Sequence, residues 1–370
     1  MLKTFQFWIA RSFVLSFLVL LVFFVALVIS FQIAKFAPVL FGSGASIITI
    51  MTLMYEIILS FLSLATPLAV LFAALYTMSR LSKESEYIAL RSLGASPWQI
   101  YVPIFLISSF IGIYLYILNL NIVPFATRNF KMSIVKMQSE NLLGSLKSAE
   151  FFTDIAGLSF FAQKVENRGK NMEHLFIEYQ SEKKEEPFKQ IIMAQKGSIG
   201  WEKEWLVLHL SQGNIIRFNK KANEFEKIIF EGYQMPLVPN EEIEAAKPRG
   251  SSLTQDELRH FMDNPKESIV RWGKEDFIKI ILEYHSRINI MFQCILFSLL
   301  GFSLGIVNMR GKNSNTFYLI LSLCVYFGLY FSFISFGKKE KISMALAIYL
   351  PSFLLMLWSG YLFIRSRFID

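Results

Sequence analysis

The chain has 370 residues, 54% hydrophobic and only 18% charged, with 37 phenylalanines, a mean hydropathy of +0.43 and a formal net charge of +8. A soluble domain is about half apolar and roughly a quarter charged, so this balance excludes an ordinary soluble globule and points into a bilayer. The two cysteines, Cys294 and Cys324, lie in apolar runs far from any metal or redox spacing and read as buried helix residues.

The opening MLKTFQFWIARSF runs into an apolar stretch too long for a signal-peptide core, with no small-residue cleavage site after it, so a retained first span is expected. Crossing about 30 Å of hydrocarbon takes about 20 mostly apolar residues. Six segments qualify: Ser12–Ala34, Ile57–Met78, Ile100–Phe125, Ile288–Val307, Thr316–Phe336 and Ile342–Ile364. None contains Asp, Glu, Lys or Arg. Pro67, Pro103 and Pro351 fall inside spans, where neighbouring helices re-satisfy the freed carbonyls. With the N-terminus in the cytoplasm, the inner loops and tails carry Lys3, Arg11, Arg80, Lys83, Arg91, Arg310, Lys312, Arg365 and Arg367. The opposite short loops carry Lys35, Lys338, Lys339 and Lys341. That bias puts both termini inside.

Between spans one to three (1–127) and four to six (276–370), residues 128–275 form a different domain. The stretch Arg128–Tyr284 holds 23 of the 37 Lys+Arg and 24 of the 29 Asp+Glu, so the basic excess belongs to the membrane part. It serves topology and anionic lipid, not nucleic acid. Period-two runs (LSFFAQKVEN, HLFIEYQ, KQIIMAQKGSIGW, EWLVLHLSQGNIIRF, EKIIFEGYQM) separated by Gly, Asn and charge predict antiparallel strands. The expected fold is a six-span α-helical membrane protein with an inserted all-β, jellyroll-like domain on the outer side. SSLTQDELRHFM then predicts a short helix with Thr254 as N-cap and Glu257 three residues on.

No catalytic or cofactor chemistry is visible. His174, His209, His260 and His285 lack the pairing of a metal helix. In GIVNMRGKNS, Gly305 and Gly311 are separated by five residues instead of four, and Asn313 stands where a phosphate loop needs Ser or Thr. With no acid in the spans to carry protons, energy for any transport must come from another subunit. The other reading is a membrane anchor that presents the β-domain to envelope partners and moves nothing.

SKESEYIALRSLGASPWQI, between spans two and three, predicts a short cytoplasmic helix over residues 82–94. Ser82 is its N-cap, Glu84 and Glu86 lie in its first turn, Gly94 is at C′ and Pro97 stops it. Glu86, Leu90 and Leu93 share one face, with Tyr87 alongside. A helix this short is marginal in water and needs a partner surface. Either its acids simply favour the helix start at the interface, or it docks in a groove of a cytoplasmic protein; spacing leaves both open.

Ser85-Glu86-Tyr87 with Leu93-Gly94-Ala95-Ser96, NLNIVPFATRNF at the outer end of span three, and EYHSRINIMFQCILFSLLGFSLGIVNMRGK, with Glu283, Arg287, Leu304-Gly305 and Arg310-Gly311-Lys312, together resemble the LptF/LptG permeases of lipopolysaccharide export. The similarity covers nearly the whole chain; Met291 departs from it where the family often has Pro. The resemblance implies a non-catalytic subunit of the bacterial inner membrane, paired with a second permease of this type on a dimeric LptB-type ATPase. The loop helix is then the coupling helix, with Glu86 its key acid and Glu84, Tyr87, Leu90, Leu93 and Gly94 around it. Spans one and five would line a lipid cavity, with Phe31, Phe327 and Phe331 toward acyl chains and Lys35 toward a lipid phosphate. Plain snorkelling to the interface is the other reading of Lys35. Lipid would pass into the periplasmic jellyroll and on through an LptC-type bridge.

Overall fold

The computed structural model describes residues 2–42, 47–145, 148–155, 158–166, 171–181, 188–202, 205–219, 224–236, 250–307, 314–339 and 341–365. Arg310, Gly311, Lys312 and Arg367, used above, lie outside these described residues. The chain order is α1 (Leu2–Gly42), α2 (Ile47–Lys83), α3 (Glu86–Ser92), α4 (Pro97–Ser145), six strands, α5 (Gln255–Asp263), α6 (Pro265–Trp272), α7 (Lys274–Val307), α8 (Ser314–Lys338) and α9 (Met344–Arg365). Six of these helices are long and apolar enough to cross a membrane: α1, α2, α4, α7, α8 and α9. The chain is a multi-pass membrane protein with an inserted β-domain, as its sequence predicts.

Two compact units divide the molecule. The membrane unit comprises Met1–Ala34, Met54–Arg128 and Pro248–Asp370; the second comprises Lys35–Leu53 and Asn129–Lys247. The stretch 250–272, grouped above with the β-domain, falls in the membrane unit. There the predicted capping box is present: the Thr254 hydroxyl accepts from the Glu257 amide at 3.3 Å, and the Thr254 amide donates to the Glu257 carboxylate at 2.8 Å.

In the membrane unit, helices approach most closely where side chains are smallest. Gly301 and Gly305 of α7, one turn apart, press on α2. A Cβ at Gly301 would meet the Leu71 carbonyl, and one at Gly305 would lie 2.5 Å from Met78 Cβ. Spacing of this kind lets two helix backbones touch where a bilayer offers no hydrophobic drive for association. Polar pairs pin the register. Tyr101 bonds Ser298 at 2.9 Å, Ser63 donates to Asn119 at 2.7 Å, and Ser352 donates to Asn289 at 2.8 Å. Such pairs contribute about 1 kcal/mol each inside a membrane.

Two expectations need correction. Five of the six spanning helices (α1, α2, α4, α7 and α8) start earlier than the charge-free windows, because their flanks continue the helical backbone; α9 starts two residues later, at Met344. As a result α2 carries Glu56, only 7% exposed, and α7 carries Arg287, 1% exposed, paired with Glu283. Both cysteines are free, but only Cys294 is buried; Cys324 faces outward on α8.

The β-domain strands are β1 (Phe151–Ile155), β2 (Leu158–Glu166), β3 (Asn171–Ser181), β4 (Phe188–Glu202), β5 (Trp205–Asn219) and β6 (Glu224–Pro236). They pair antiparallel in sequence order, β1-β2-β3-β4-β5-β6. Among the described residues this is a simple meander, one sheet in sequence order, instead of the crossed Greek-key arrangement of a jelly roll. One level of the sheet is irregular throughout: the ladders step over Gln163, His174, Gln195, Gln212 and Glu231, which lie opposite one another across β2 to β6. His174 and Gln212 take positive φ, 50° and 53°. The inward side changes parity there. Leu208 and Leu210 point in before Gln212 and Ile215 after it; Met172 does so before His174, Leu175 and Ile177 after it. An extra residue per strand, spent in register, makes a bulge-like crease that keeps both halves' apolar side chains in one core. Gly213 is fixed by this geometry, since a Cβ would meet the Met193 carbonyl and Phe230 ring.

Candidate functional site

The predicted cytoplasmic helix is two pieces. The apolar pattern of α2 runs on through Leu81, fully buried, so α2 does not stop until Lys83 and Ser82 lies inside it, buried, instead of capping a new helix. Glu84 follows in the turn, held by Arg80 at 3.0 Å, and Arg80 itself stacks 5.6 Å from the centre of the Trp8 ring. Ser85 takes a left-handed conformation, φ 60°, and α3 begins at Glu86 with no side-chain cap. Glu86 is therefore the acid in α3's first turn, where the helix dipole favours it; Glu84 belongs to the preceding turn.

The C-terminal end follows the sequence closely. Gly94 has φ +85°; its amide donates to the Arg91 carbonyl at 2.9 Å, and the Ala95 amide donates to the Leu90 carbonyl at 3.1 Å. That pair is a Schellman motif. Ser96 and Gln99 then form a reciprocal capping box, 2.8 and 3.2 Å, that starts α4 with Pro97 in its first turn. The whole stretch from Glu86 to Gln99 is a hydrogen-bonded elbow.

Seven residues cannot hold a helix alone; packing does it. Tyr87 is fully buried in a cluster with Ile9, Phe13, Met78, Leu81 and Tyr101, and Leu90 packs against the same cluster. The outer surface is left to Ile88, Leu93 (77% exposed), Gly94, Glu84 and, at the start of α4, Trp98, with Glu86 half-buried. Of the six residues singled out from sequence, Tyr87 and Leu90 thus hold the helix in place and the others face out or partly out. Ile88 and Trp98 were missed; once Tyr87 is taken as the inward anchor, helical spacing turns Ile88 outward. Burial pushes the Tyr87 phenol above its ordinary pKa, with Arg91 acting in the opposite sense, and its hydroxyl has no hydrogen-bond partner among the described residues. Tyr87→Phe is expected to leave thermal stability unchanged or raise it, by up to about 1 kcal/mol, because no bond is lost. Tyr87→Ala should cost about 3–5 kcal/mol and free α3; thermal unfolding of the purified protein, with proteolysis at residues 84–95, separates the two.

The second candidate surface is apolar. α1 and α8 are the least covered spans, 11% and 17% buried, against 39–56% for the other four. Phe31 on α1 and Phe331 on α8 are 68% and 65% exposed. Phe327 stacks on Phe331 at 6.4 Å and packs inward against a cluster containing Leu319 and Tyr326. Lys35 is exposed, its ammonium 5.2 Å from the centre of the Phe36 ring. Among the described residues no cluster of His, Cys, Asp and Glu could hold a metal ion.

A comparison with curated proteins returns no match. From residue 8 to residue 365, a range that takes in all six spans, the elbow at α3 and the β-domain between them, the chain matches the model of the lipopolysaccharide export system permease LptF/LptG, and it belongs to that family.

Proposed function

We propose that this chain is the transmembrane subunit of an ATP-driven lipopolysaccharide exporter in a bacterial inner membrane, with both termini cytoplasmic and the β-domain periplasmic. Its partners are an LptB-type ATPase dimer, a second permease of this family and an LptC-type bridge. The observation that carries the reading is α3: a braced helix, seated on the membrane unit by Tyr87, that leaves Leu93, Ile88 and Glu86 for a partner. A helix of this kind passes force because its supports are rigid on one side. The exposed faces of α1 and α8 suit acyl chains or a second subunit, and Lys35 suits a lipid phosphate.

The test is reconstitution with the ATPase and a partner permease in lipopolysaccharide-containing vesicles, with a photo-crosslinker at Phe31. ATP is expected to drive lipid out of the membrane, and Lys35→Glu to cut both crosslinking and release by about tenfold, the scale of one charge-assisted contact. Undiminished crosslinking and release in Lys35→Glu would remove Lys35 from the lipid path. No ATP-dependent release from the wild-type complex would sink the exporter reading.

A further inference from the structure

Arg287 of α7 is the largest of the fully buried side chains, 1% exposed. A guanidinium is costly to bury unless its donors are matched, and here they are. Nε donates to the Glu283 carboxylate at 3.2 Å, one turn back on the same helix. The others leave α7: Nη2 donates to the Leu253 carbonyl at 2.7 Å and the Ser251 carbonyl at 3.5 Å, and Nη1 to Gln255 Oε1 at 3.4 Å. All three acceptors lie in Ser251–Gln255, just after the chain re-enters the membrane unit at Pro248. Beside them Leu253, Leu258 and Ile280 are buried together, with Phe261 and Tyr284 packed on them. A fork of fixed donors reading three positions of one short segment specifies where that segment sits, which a single ammonium could not do.

We propose that Arg287 is the fastening that holds Ser251–Gln255 on span four, so that this segment keeps its place on α7 while the protein works. Resting on the exporter reading for its consequence, this makes Arg287 a positioning residue. It is too buried and too fully bonded to contact lipid. Glu283 neutralises it, and the capping box of Thr254 and Glu257 stiffens the segment it holds.

The test compares wild type, Arg287→Lys and Arg287→Gln in the assembled, reconstituted complex. Amide hydrogen exchange over residues 250–272 is expected to rise by about tenfold or more in both variants, the scale of one lost charge-assisted hydrogen bond, with exchange in α2 and α4 unchanged. ATP hydrolysis should stay at the wild-type rate while lipid release falls by about tenfold. A disulfide from Leu258→Cys with Ile280→Cys, added to Arg287→Lys, should restore release when oxidised and lose it when reduced. If Arg287→Gln does not accumulate in the membrane, Arg287→Lys with and without the disulfide carries the test. Unchanged exchange overturns the fastening; raised exchange with normal release, or a formed disulfide that restores nothing, overturns its role in export. Absent release from wild type, with exchange still raised in the variants, would fail the exporter reading and leave the fastening standing.

Discussion

Glu86→Arg is expected to strip the ATPase from the detergent-extracted complex, or to leave it bound but idle, while the chain still inserts and keeps its thermal stability. Glu86 is at the first residue of α3, half-exposed, with its carboxylate at the positive end of the helix. It is not buried with Tyr87, so replacing it costs the fold little; reversal adds an unfavourable charge at the helix start, about 0.3–1 kcal/mol. Against a partner groove the same change replaces an attraction with a repulsion, and losing one member of a desolvated charge pair costs about 2–5 kcal/mol. At 1.4 kcal/mol per tenfold, coupling should fall at least about thirtyfold. Leu93→Asp, at the most exposed apolar residue of the elbow, should act in the same direction. Glu84→Arg should do less, since it disturbs an exposed i,i+4 pair with Arg80 of the kind that contributes under about 1 kcal/mol. Co-purification with the ATPase and ATP-dependent lipid release measure the effect; a Glu86→Arg complex that retains its ATPase and transports at the wild-type rate would remove α3 from the coupling path.

The sequence was legible wherever one residue forces the backbone. Gly94 located the end of α3, and Thr254 with Glu257 located α5, because a left-handed turn and a reciprocal cap admit few alternatives; Pro97, read as a stop, also opens α4. The start of α3 was misread, since Ser82 is as good a cap in isolation as it is a tolerated residue within α2. What decided between them was Leu81, whose burial in the membrane unit prolongs α2 and which local spacing cannot show. The same blindness hid Glu56 and Arg287: a window chosen for lacking charge ends where charge begins, although the helix does not. Period two found β2 to β6 but not the short β1, nor the crease at His174 and Gln212, because a parity change shared by β2 to β6 keeps the strands in register with one another.

Gly301→Val is expected to cause a large loss of folded protein. By helix propensity alone, replacing Gly should help, by up to about 1 kcal/mol for Ala in a helix interior. Contact reverses the sign. The new Cβ would run into the Leu71 carbonyl and come within 3.0 Å of Ala74 Cβ and the Leu75 amide nitrogen. These are mostly backbone atoms of α2, which cannot rotate away as a side-chain tip can, so the helices must separate. Separation opens two clusters at once, the one joining Ala74 and Met78 to Phe302 and Ile306 and the one joining Leu71 to Phe297 and Leu300. Overpacking costs about 1–3 kcal/mol where a core can adjust; with two clusters affected, about 3 kcal/mol or more is expected, or a fall of roughly 5–10 °C in Tm. Gly360→Val, on α9 where no atom lies within 4 Å of the new Cβ, should leave Tm within about 2 °C of wild type. Equal stability of the two variants would show that α2 and α7 are not in backbone contact. The contact matters beyond stability because Leu71 to Ser79 are the last turns of α2 before the elbow, so the two glycines grip α2 immediately behind α3. The same helix, α7, holds Arg287 nearer its middle, on the N-terminal side of the two glycines. On the exporter reading a push on α3 reaches α7 through this contact, and Gly305→Val, which strikes Met78 Cβ at 2.5 Å, should lower lipid release per ATP hydrolysed in whatever fraction of the protein still assembles.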